Sequence, residues 1–519
     1  MAFLDKMREV LEENYNVSVT ENGAVGYRTT GKEMLDFNFK IASYRSKSDG
    51  EIIKDFTKVF LEDKVLAMQF LFFIRDREEG LGERRLFRVI LKHLANTEPE
   101  YIKPLIPEIA EYGRYDDLLE LFDTKLERDM LSIIAMQLTV DLADMKQNKP
   151  ISLLAKWLPS IQAKDKKKRK LALRLVDVYC EKNKNDGKKI YRKMLSDLRK
   201  HIDVVEKKMS AKEWENIKYE NVPSRANLIY NDAFLRHDHA RRSEYLEKVS
   251  KGEAKINSSK LFPHDIVHKY TGGSRYWGMR TKDDTLEALW NALPKKEIAN
   301  TMVVADGSGS MTCNVGKSEV TALDVANALA IYFAEHNKGE FNNQYITFSE
   351  RPQLVSFKGL TSLHDKIKKA ISYSEVANTN IEAVFDLILD TATKYKLSQE
   401  EMPANILIIS DMEFDSCAVS NSSGYGRIEP KLFNVIGKRH ENAGYKLPKL
   451  VFWNVNSRTG AIPIKENDLG VALVSGFSTN IAEMVMSSKL DPFETLLEKL
   501  NTERYLKIKE ILEKDLQQK

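Results

Sequence analysis

Near Lys296 the hydrophobic pattern of this 519-residue chain changes period. From about Met34 to Ala292 apolar residues recur three and four apart. Ile52, Phe56, Val59 and Phe60 are one such series, and Leu86, Val89, Ile90 and Leu94 another; the spacing predicts amphipathic helices. Beyond residue 298 short apolar runs alternate with helical ones. Strands are expected at 301–306, 343–348, 352–357, 405–410, 449–455 and 470–474, with helices at 320–336, 361–371, 380–394, 479–488 and 491–516. One layer plan cannot serve both patterns, so the chain is expected to be multidomain. An all-α helical-repeat, HEAT-like N-terminal part would be followed by an α/β doubly wound domain with a mostly parallel sheet. The expected boundaries are 1–33 for an N-terminal hairpin segment, 34–297 for the helical repeats, 298–490 for the α/β domain and 491–519 for a C-terminal helix. The hairpin rests on two short β-like runs flanking Asn22-Gly23, a strong turn signal.

The first strand of the α/β part, Met302-Val303-Val304-Ala305, runs into Asp306-Gly307-Ser308-Gly309-Ser310. One carboxylate and two hydroxyls at alternate positions suit a hard divalent cation. The turn has no lysine, which excludes a phosphate-cradling GxxxxGK[ST] loop. DxSxS at the end of a first strand resembles the metal-ion-dependent adhesion site (MIDAS) of von Willebrand factor A-type domains. That family adds a Thr from a second loop, matched by Thr379 in Asn378-Thr379-Asn380, and an Asp after a later strand, matched by Asp411 after Ile406–Ser410. The resemblance therefore implies a von Willebrand A-type domain whose metal shell is Asp306, Ser308, Ser310, Thr379 and Asp411. The cofactor expected is Mg²⁺, or another divalent cation such as Mn²⁺ or Ca²⁺.

Helical repeats followed by such a domain resemble the Ro autoantigen (TROVE) architecture. Several segments are closer to an uncharacterised sister family with the same layout: Arg75-Asp76, Gly80-Leu81-Gly82-Glu83-Arg84, Gly113-Arg114-Tyr115-Asp116-Asp117-Leu118, Ala155 to Ser160, Val222 to Ala226 and Leu261 to Val267. Ro-like proteins bind small noncoding and misfolded RNA as ribonucleoproteins, so RNA is the partner this resemblance implies.

Charge gives an independent reason to expect a polyanion. Residues 1–140 hold 20 Lys and Arg against 26 Asp and Glu, residues 141–300 hold 36 against 22, and residues 301–519 hold 24 against 28. A basic middle between acidic ends is the footprint of a polyanion-binding surface, though a lysine-rich solvated face has the same composition. The densest run is Lys164, Lys166, Lys167, Lys168, Arg169 and Lys170. Lys188, Arg192 and Arg199 share a helical face downstream. These nine residues are the candidate RNA-binding set. Arg241-Arg242, Arg275 and Arg280 beside Tyr276 and Trp277 form a second candidate, although Trp277 suits a packed interface better.

Other chemistries find little footing. Three distant cysteines (Cys180, Cys313 and Cys417) argue against a disulfide framework. His264 and His268 share a helix face and His237 and His239 lie near each other, but packing and capping explain such histidines more readily than zinc. No GxSxG or Cys/His pair supports nucleophilic catalysis. Glu413 and Asp415 read as solvated loop carboxylates. No apolar run reaches membrane-span length, and Met1 to Lys6 lacks a signal-peptide core, so a soluble cytoplasmic protein is expected. The expectation for function is a non-enzymatic RNA-binding scaffold whose metal site captures an acidic ligand, such as an acidic protein partner. The alternative is a metal-dependent protein–protein interaction module with no nucleic acid role.

Overall fold

The computed structural model describes residues 7, 15–21, 25–179, 186–202, 204–272, 279–348, 351–373, 381–414, 432–463, 471–486 and 491–518. A helix-rich N-terminal region precedes a region built on a mixed sheet. The strands are β1 (Val17–Val19), β2 (Val25–Tyr27), β3 (Ile298–Ala299), β4 (Thr301–Asp306), β5 (Asn337–Lys338), β6 (Gln344–Phe348), β7 (Gln353–Ser356), β8 (Asn405–Ser410), β9 (Lys449–Asn454) and β10 (Val471–Ser475). The expected hairpin is present as the antiparallel pair β1–β2; its Asn22-Gly23 turn lies outside the described residues.

Six strands form the main sheet in the order β10-β9-β8-β4-β6-β7. All pairs are parallel except β6–β7. Strands β4, β8, β9 and β10 are almost wholly buried, which is why their sequences are continuous apolar runs rather than alternating ones. Alternate residues still go to opposite faces. Met302, Val304, Ile406, Ile408, Leu450 and Phe452 pack with Val384, Phe385 and Ile388 of the helix Glu382–Tyr395. The opposite face carries Trp453, whose ring lies 5.2 Å from Phe333 of the helix Ala322–Glu335.

The chain divides into two compact units, and they do not follow the sequence boundaries. One comprises residues 1–62, 223–229 and 246–501; the other comprises 63–222, 230–245 and 502–519. Residues 34–62 and 246–297, assigned by periodicity to the helical array, thus belong with the sheet. The helix Glu33–Phe39 puts Leu35 and Phe39 into the sheet's core. Its end is tied down where Asn454 Nδ2 donates to the Phe39 carbonyl (2.8 Å) and the Ala42 amide to Ser475 Oγ (3.0 Å). The expected C-terminal helix 491–516 is two helices, Pro492–Leu500 and Glu503–Gln517, each with its own start. The first belongs to the unit of the sheet and the second to the helical unit.

The helical unit holds the long helices Lys64–Arg75, Arg84–Thr97, Glu127–Lys146, Lys166–Tyr179 and Gly187–His201. Its core is partly polar. Arg75 and Asp117 are buried and paired at 2.7 Å. Gly113 makes this possible: a Cβ there would stand 2.5 Å from Asp117 Oδ2 and 3.0 Å from Arg75 Nε. Asp76, also buried, accepts from Arg504 Nε (2.5 Å) and Tyr505 Oη (2.9 Å), which fastens the helix Glu503–Gln517 to this unit.

Candidate metal centre

Asp306 closes β4, and Asp411 follows β8, the strand paired beside it. In a wound parallel sheet the crevice for ligands lies past the carboxyl ends of the strands, where strand order reverses direction from the first strand. Here β4 is that first strand, and β6 and β8 flank it.

The turn after β4 is shaped by its own side chains. Asp306 Oδ1 accepts from the Ser308 amide (2.8 Å), an Asx-type turn, and Oδ2 accepts from Ser410 Oγ (2.7 Å). Ser308 Oγ and Ser310 Oγ are 2.9 Å apart. The Ser310 hydroxyl also bonds the Asp411 carboxylate, which accepts the Glu413 amide at 3.3 Å. Asp306 and Asp411 are each 1 % exposed. Four of the five residues expected in the metal shell therefore converge; Thr379 lies outside the described residues.

Two carboxylates buried together need a counter-charge. Burial pushes the Asp411 carboxyl up to about 7, and the negative charge of Asp306 pushes in the same direction. The bonds from Ser310 and the Glu413 amide, together with the charge of Arg458, pull it back only partly. Arg458 Nη2 stands 3.5 Å from Asp411 Oδ2 and also pairs with Glu21. A hard divalent cation takes carboxylate and hydroxyl oxygens, so Asp306, Ser308, Ser310 and Asp411 fit one.

Glu413 is where sequence reading missed a structural role. It is fully buried rather than a solvated loop carboxylate. Its Oε1 accepts the amides of Arg458 (2.8 Å) and Thr459 (2.9 Å), and its Oε2 accepts the amide of Glu21 (2.8 Å). Thr20 Oγ1 adds a bond to the Phe414 carbonyl (2.7 Å). These fasten the N-terminal hairpin and the loop after β9 beside the candidate centre. No spacing signal in the sequence marks it, because its donors come from distant stretches of chain.

The basic candidates separate into two kinds. Lys164, Lys166, Lys167, Lys168, Arg169, Lys188 and Arg192 are exposed. Lys170, also exposed, pairs with Asp123 at 2.7 Å. Arg199 does not join a phosphate stripe: it donates to the carbonyls of Ala155 (2.8 Å) and Leu158 (2.6 Å), bracing its helix against the short helix Leu154–Trp157. In the second candidate cluster, Arg241 bonds the Trp214 and Ile217 carbonyls, Arg242 is buried against Tyr219, Phe234 and Tyr245, and Arg280 pairs with Asp283. Arg275, Tyr276 and Trp277 lie outside the described residues, as do Cys180, Cys417 and Asp415.

The histidines serve packing and capping. His264 stacks with Phe262 and meets Phe477 edge-on, His237 stacks on Trp214, and His268 Nδ1 bonds Asp324 Oδ2 at 2.8 Å. Burial works to raise the Asp324 carboxyl, but the bonds from His268 and Thr271 hold it below its ordinary value. Among the described residues no group of three or more His, Cys, Asp or Glu is placed to hold a metal, and no helix is long and apolar enough to cross a membrane.

Residues 115–303 match the model of a domain of unknown function, DUF2828, and residues 300–516 match that of a second, DUF7788. The seam between the two matches falls at the start of β4. Over 524 aligned residues the chain is 29% identical to "Uncharacterized protein L728" of Acanthamoeba polyphaga mimivirus, covering 93% of this chain and 87% of the viral protein. This chain is thus similar, along nearly its whole length, to that viral protein.

Proposed function

We propose that the chain is a non-enzymatic binding scaffold that captures an anionic ligand through a divalent cation held in a von Willebrand A-type domain. The observation that carries this reading is the convergence of Asp306 and Asp411, both buried, with the hydroxyls of Ser308 and Ser310. The strand order, with an antiparallel strand at one edge, supports the A-type assignment. Asp306, Ser308, Ser310 and Asp411 would hold the ion. When bound, it would supply a positive charge that only two carboxylates offset, which favours a carboxylate or phosphate as the incoming ligand. A binding role fits better than hydrolysis because the third carboxylate, Glu413, is committed to backbone amides and is not placed to act as a base.

RNA is the ligand proposed for the helical, HEAT-like part. The helix Lys166–Tyr179 opens with Lys166, Lys167, Lys168, Arg169 and Lys170 and has no acid in its first turn. Cations at a helix amino end oppose its dipole. A chain that keeps them exposed there is well suited to polyanion phosphates. Calorimetry with Mg²⁺ on wild type and Asp306→Ala tests the metal; gel shifts of structured and single-stranded RNA across a salt series test the RNA. Saturable Mg²⁺ binding without RNA affinity at low salt would leave the protein-interaction module as the function. Loss of neither on substitution would remove the proposal.

A further inference from the structure

One charged side chain reaches the candidate metal centre without belonging to its ligand set. Arg458 Nη2 stands 3.5 Å from Asp411 Oδ2. That is longer than an N–H···O hydrogen bond, so the contact is Coulombic. The same Nη2 pairs closely with the Glu21 carboxylate, and Nη1 donates to Cys313 Sγ (3.9 Å). Asp411, Arg458 and Glu21 thus form a ladder of alternating charge. It runs outward: their side chains are 1 %, 34 % and 54 % exposed, in that order.

The main chain of both outer rungs is gripped by one group. Glu413 Oε1 accepts the Arg458 amide and Oε2 the Glu21 amide, each at 2.8 Å. On one side of this clasp Thr20 Oγ1 bonds the Phe414 carbonyl (2.7 Å). On the other, Asn454 Oδ1 accepts the amides of Asn456 (3.1 Å) and Ser457 (2.8 Å). The hairpin and the loop after β9 therefore bring Glu21 and Arg458 together through main-chain bonds. The contact between their side chains can open without loosening either segment.

Charge narrows what can replace Glu21. With a divalent cation in the centre, Asp306 and Asp411 balance it, and the Arg458 guanidinium is left over. Glu21 supplies the negative charge that offsets Arg458. The outer side of Arg458 is thus already fitted by a carboxylate, whose charge is the amount needed. A phosphate monoester carries about 1.5 to 2 negative charges at pH 7, an excess that repels two buried carboxylates. An incoming carboxylate exchanges like for like. It takes an open position on the cation and the Nη2 donor that Glu21 gives up.

We propose that Arg458 is the specificity-determining residue for anion capture at this centre, that the ligand is a carboxylate, and that Glu21 holds the ligand's place in the free protein. This rests on the divalent-cation reading of the centre and narrows its ligand from anions in general to carboxylates. An acidic side chain and a small free carboxylate share this chemistry. Ligand entry requires Glu21 to swing away from Arg458, which the clasp permits because Glu413 holds only the Glu21 main chain. Arg458 also opposes the cation: its like charge near Asp411 weakens metal binding unless an anion offsets it. Cation and ligand are thereby coupled, each tightening the other.

The test is calorimetric titration of the full chain with Mn²⁺ at fixed ionic strength, alone and with acetate, with glutamate blocked at both backbone ends, or with inorganic phosphate. Entry of a probe beside the metal is read from the relaxation of its protons, or of the phosphorus nucleus, by bound Mn²⁺. Both carboxylates should tighten Mn²⁺ binding to wild type, and the tighter of the two identifies the source. Glu21→Gln vacates the seat, so carboxylate affinity should rise at least about fivefold, while Mn²⁺ alone binds more weakly. Arg458→Gln should move both the other way: Mn²⁺ alone binds more tightly and the carboxylate effect is lost. Arg458→Lys, which keeps the charge, should return the affinity for Mn²⁺ alone to the wild-type value. Loss of structure lowers both affinities together and cannot give these opposed signs. Phosphate that binds more tightly than either carboxylate overturns the ligand assignment. Saturable Mn²⁺ binding that neither Glu21→Gln nor Arg458→Gln alters overturns this inference alone, whereas no saturable Mn²⁺ binding overturns the cation reading with it.

Discussion

Asp411 and Glu413 lie on either side of Met412, whose φ of 64° places it in the left-handed region. The two carboxylates consequently serve different ends: Asp411 meets Ser310 and Asp306, whereas Glu413 receives the amides of Glu21, Arg458 and Thr459. A left-handed residue with a side chain costs roughly 1–2 kcal/mol, and here that cost lies directly beside the candidate metal centre, where strain is commonly stored.

Removing the Glu413 carboxylate should loosen both segments it holds. Glu413→Ala leaves three backbone donors without their acceptor, and a loss of about 3–5 kcal/mol is expected. Proteolysis should then cut first in the N-terminal hairpin. Chemical denaturation of the variant checks the magnitude, and a loss below 1 kcal/mol would mean that water replaces the carboxylate without cost.

The Asp411 carboxyl gives stability a defined pH dependence. Its folded value of about 7 lies above the ordinary 3.8, so between these values the folded protein holds a proton that the unfolded chain has released. This contribution to metal-free stability is full below about pH 4 and is lost as pH rises through 7. In chelator, Asp411→Asn should be more stable than wild type at pH 8 and equal to it near pH 4. Mg²⁺ at a hundredfold excess over its Kd should stabilise wild type by about 2.7 kcal/mol at pH 8, less at pH 6, and Asp306→Ala not at all. Thermal scans across pH with and without Mg²⁺ read all three.

Lys167 should show a trade between stability and binding. Placing Glu in the first turn of the helix Lys166–Tyr179 relieves repulsion and suits the helix dipole, a gain of about 0.3–1 kcal/mol. RNA affinity should drop in the same variant, with a shallower salt dependence. A Lys167→Glu protein that is more stable and binds RNA equally well would remove Lys167 from the interface.

Gly113 and Asp117 should be far more sensitive than their neighbours. Gly113→Ala drives a methyl into Asp117 Oδ2 and Arg75 Nε, with a cost of about 1–3 kcal/mol. Asp117→Ala strands buried Arg75, with a cost of about 3–5 kcal/mol. By contrast, breaking the exposed pair Lys251–Glu247 should change stability by less than about 0.5 kcal/mol. Urea unfolding of the three variants tests the ranking.

What could be read from the sequence follows from what each signal measures. The period change near Lys296 and the apolar runs of β4, β8 and β9 report burial directly, so those strands matched within a residue or so. DxSxS put Asp306, Ser308 and Ser310 on one turn, and the end of β8 brought in Asp411. Periodicity also marked the helices of residues 34–62, but an apolar stripe does not say which surface it covers, and Leu35 and Phe39 turned out to cover the sheet. The helix Leu432–Asn442 went unassigned. Arg199 had the right spacing for a stripe with Arg192, yet its side chain turns inward to two carbonyls that no spacing rule reveals.

The helix Glu503–Gln517 completes a unit whose other parts begin at residue 63. During synthesis Asp76 must wait for Arg504 and Tyr505, and Phe73 for the ring of Tyr505 that it meets edge-on. Most of the translated chain therefore emerges from the ribosome before this early-made bundle can close, leaving an apolar seam that a chaperone, or an intruding copy, could reach first.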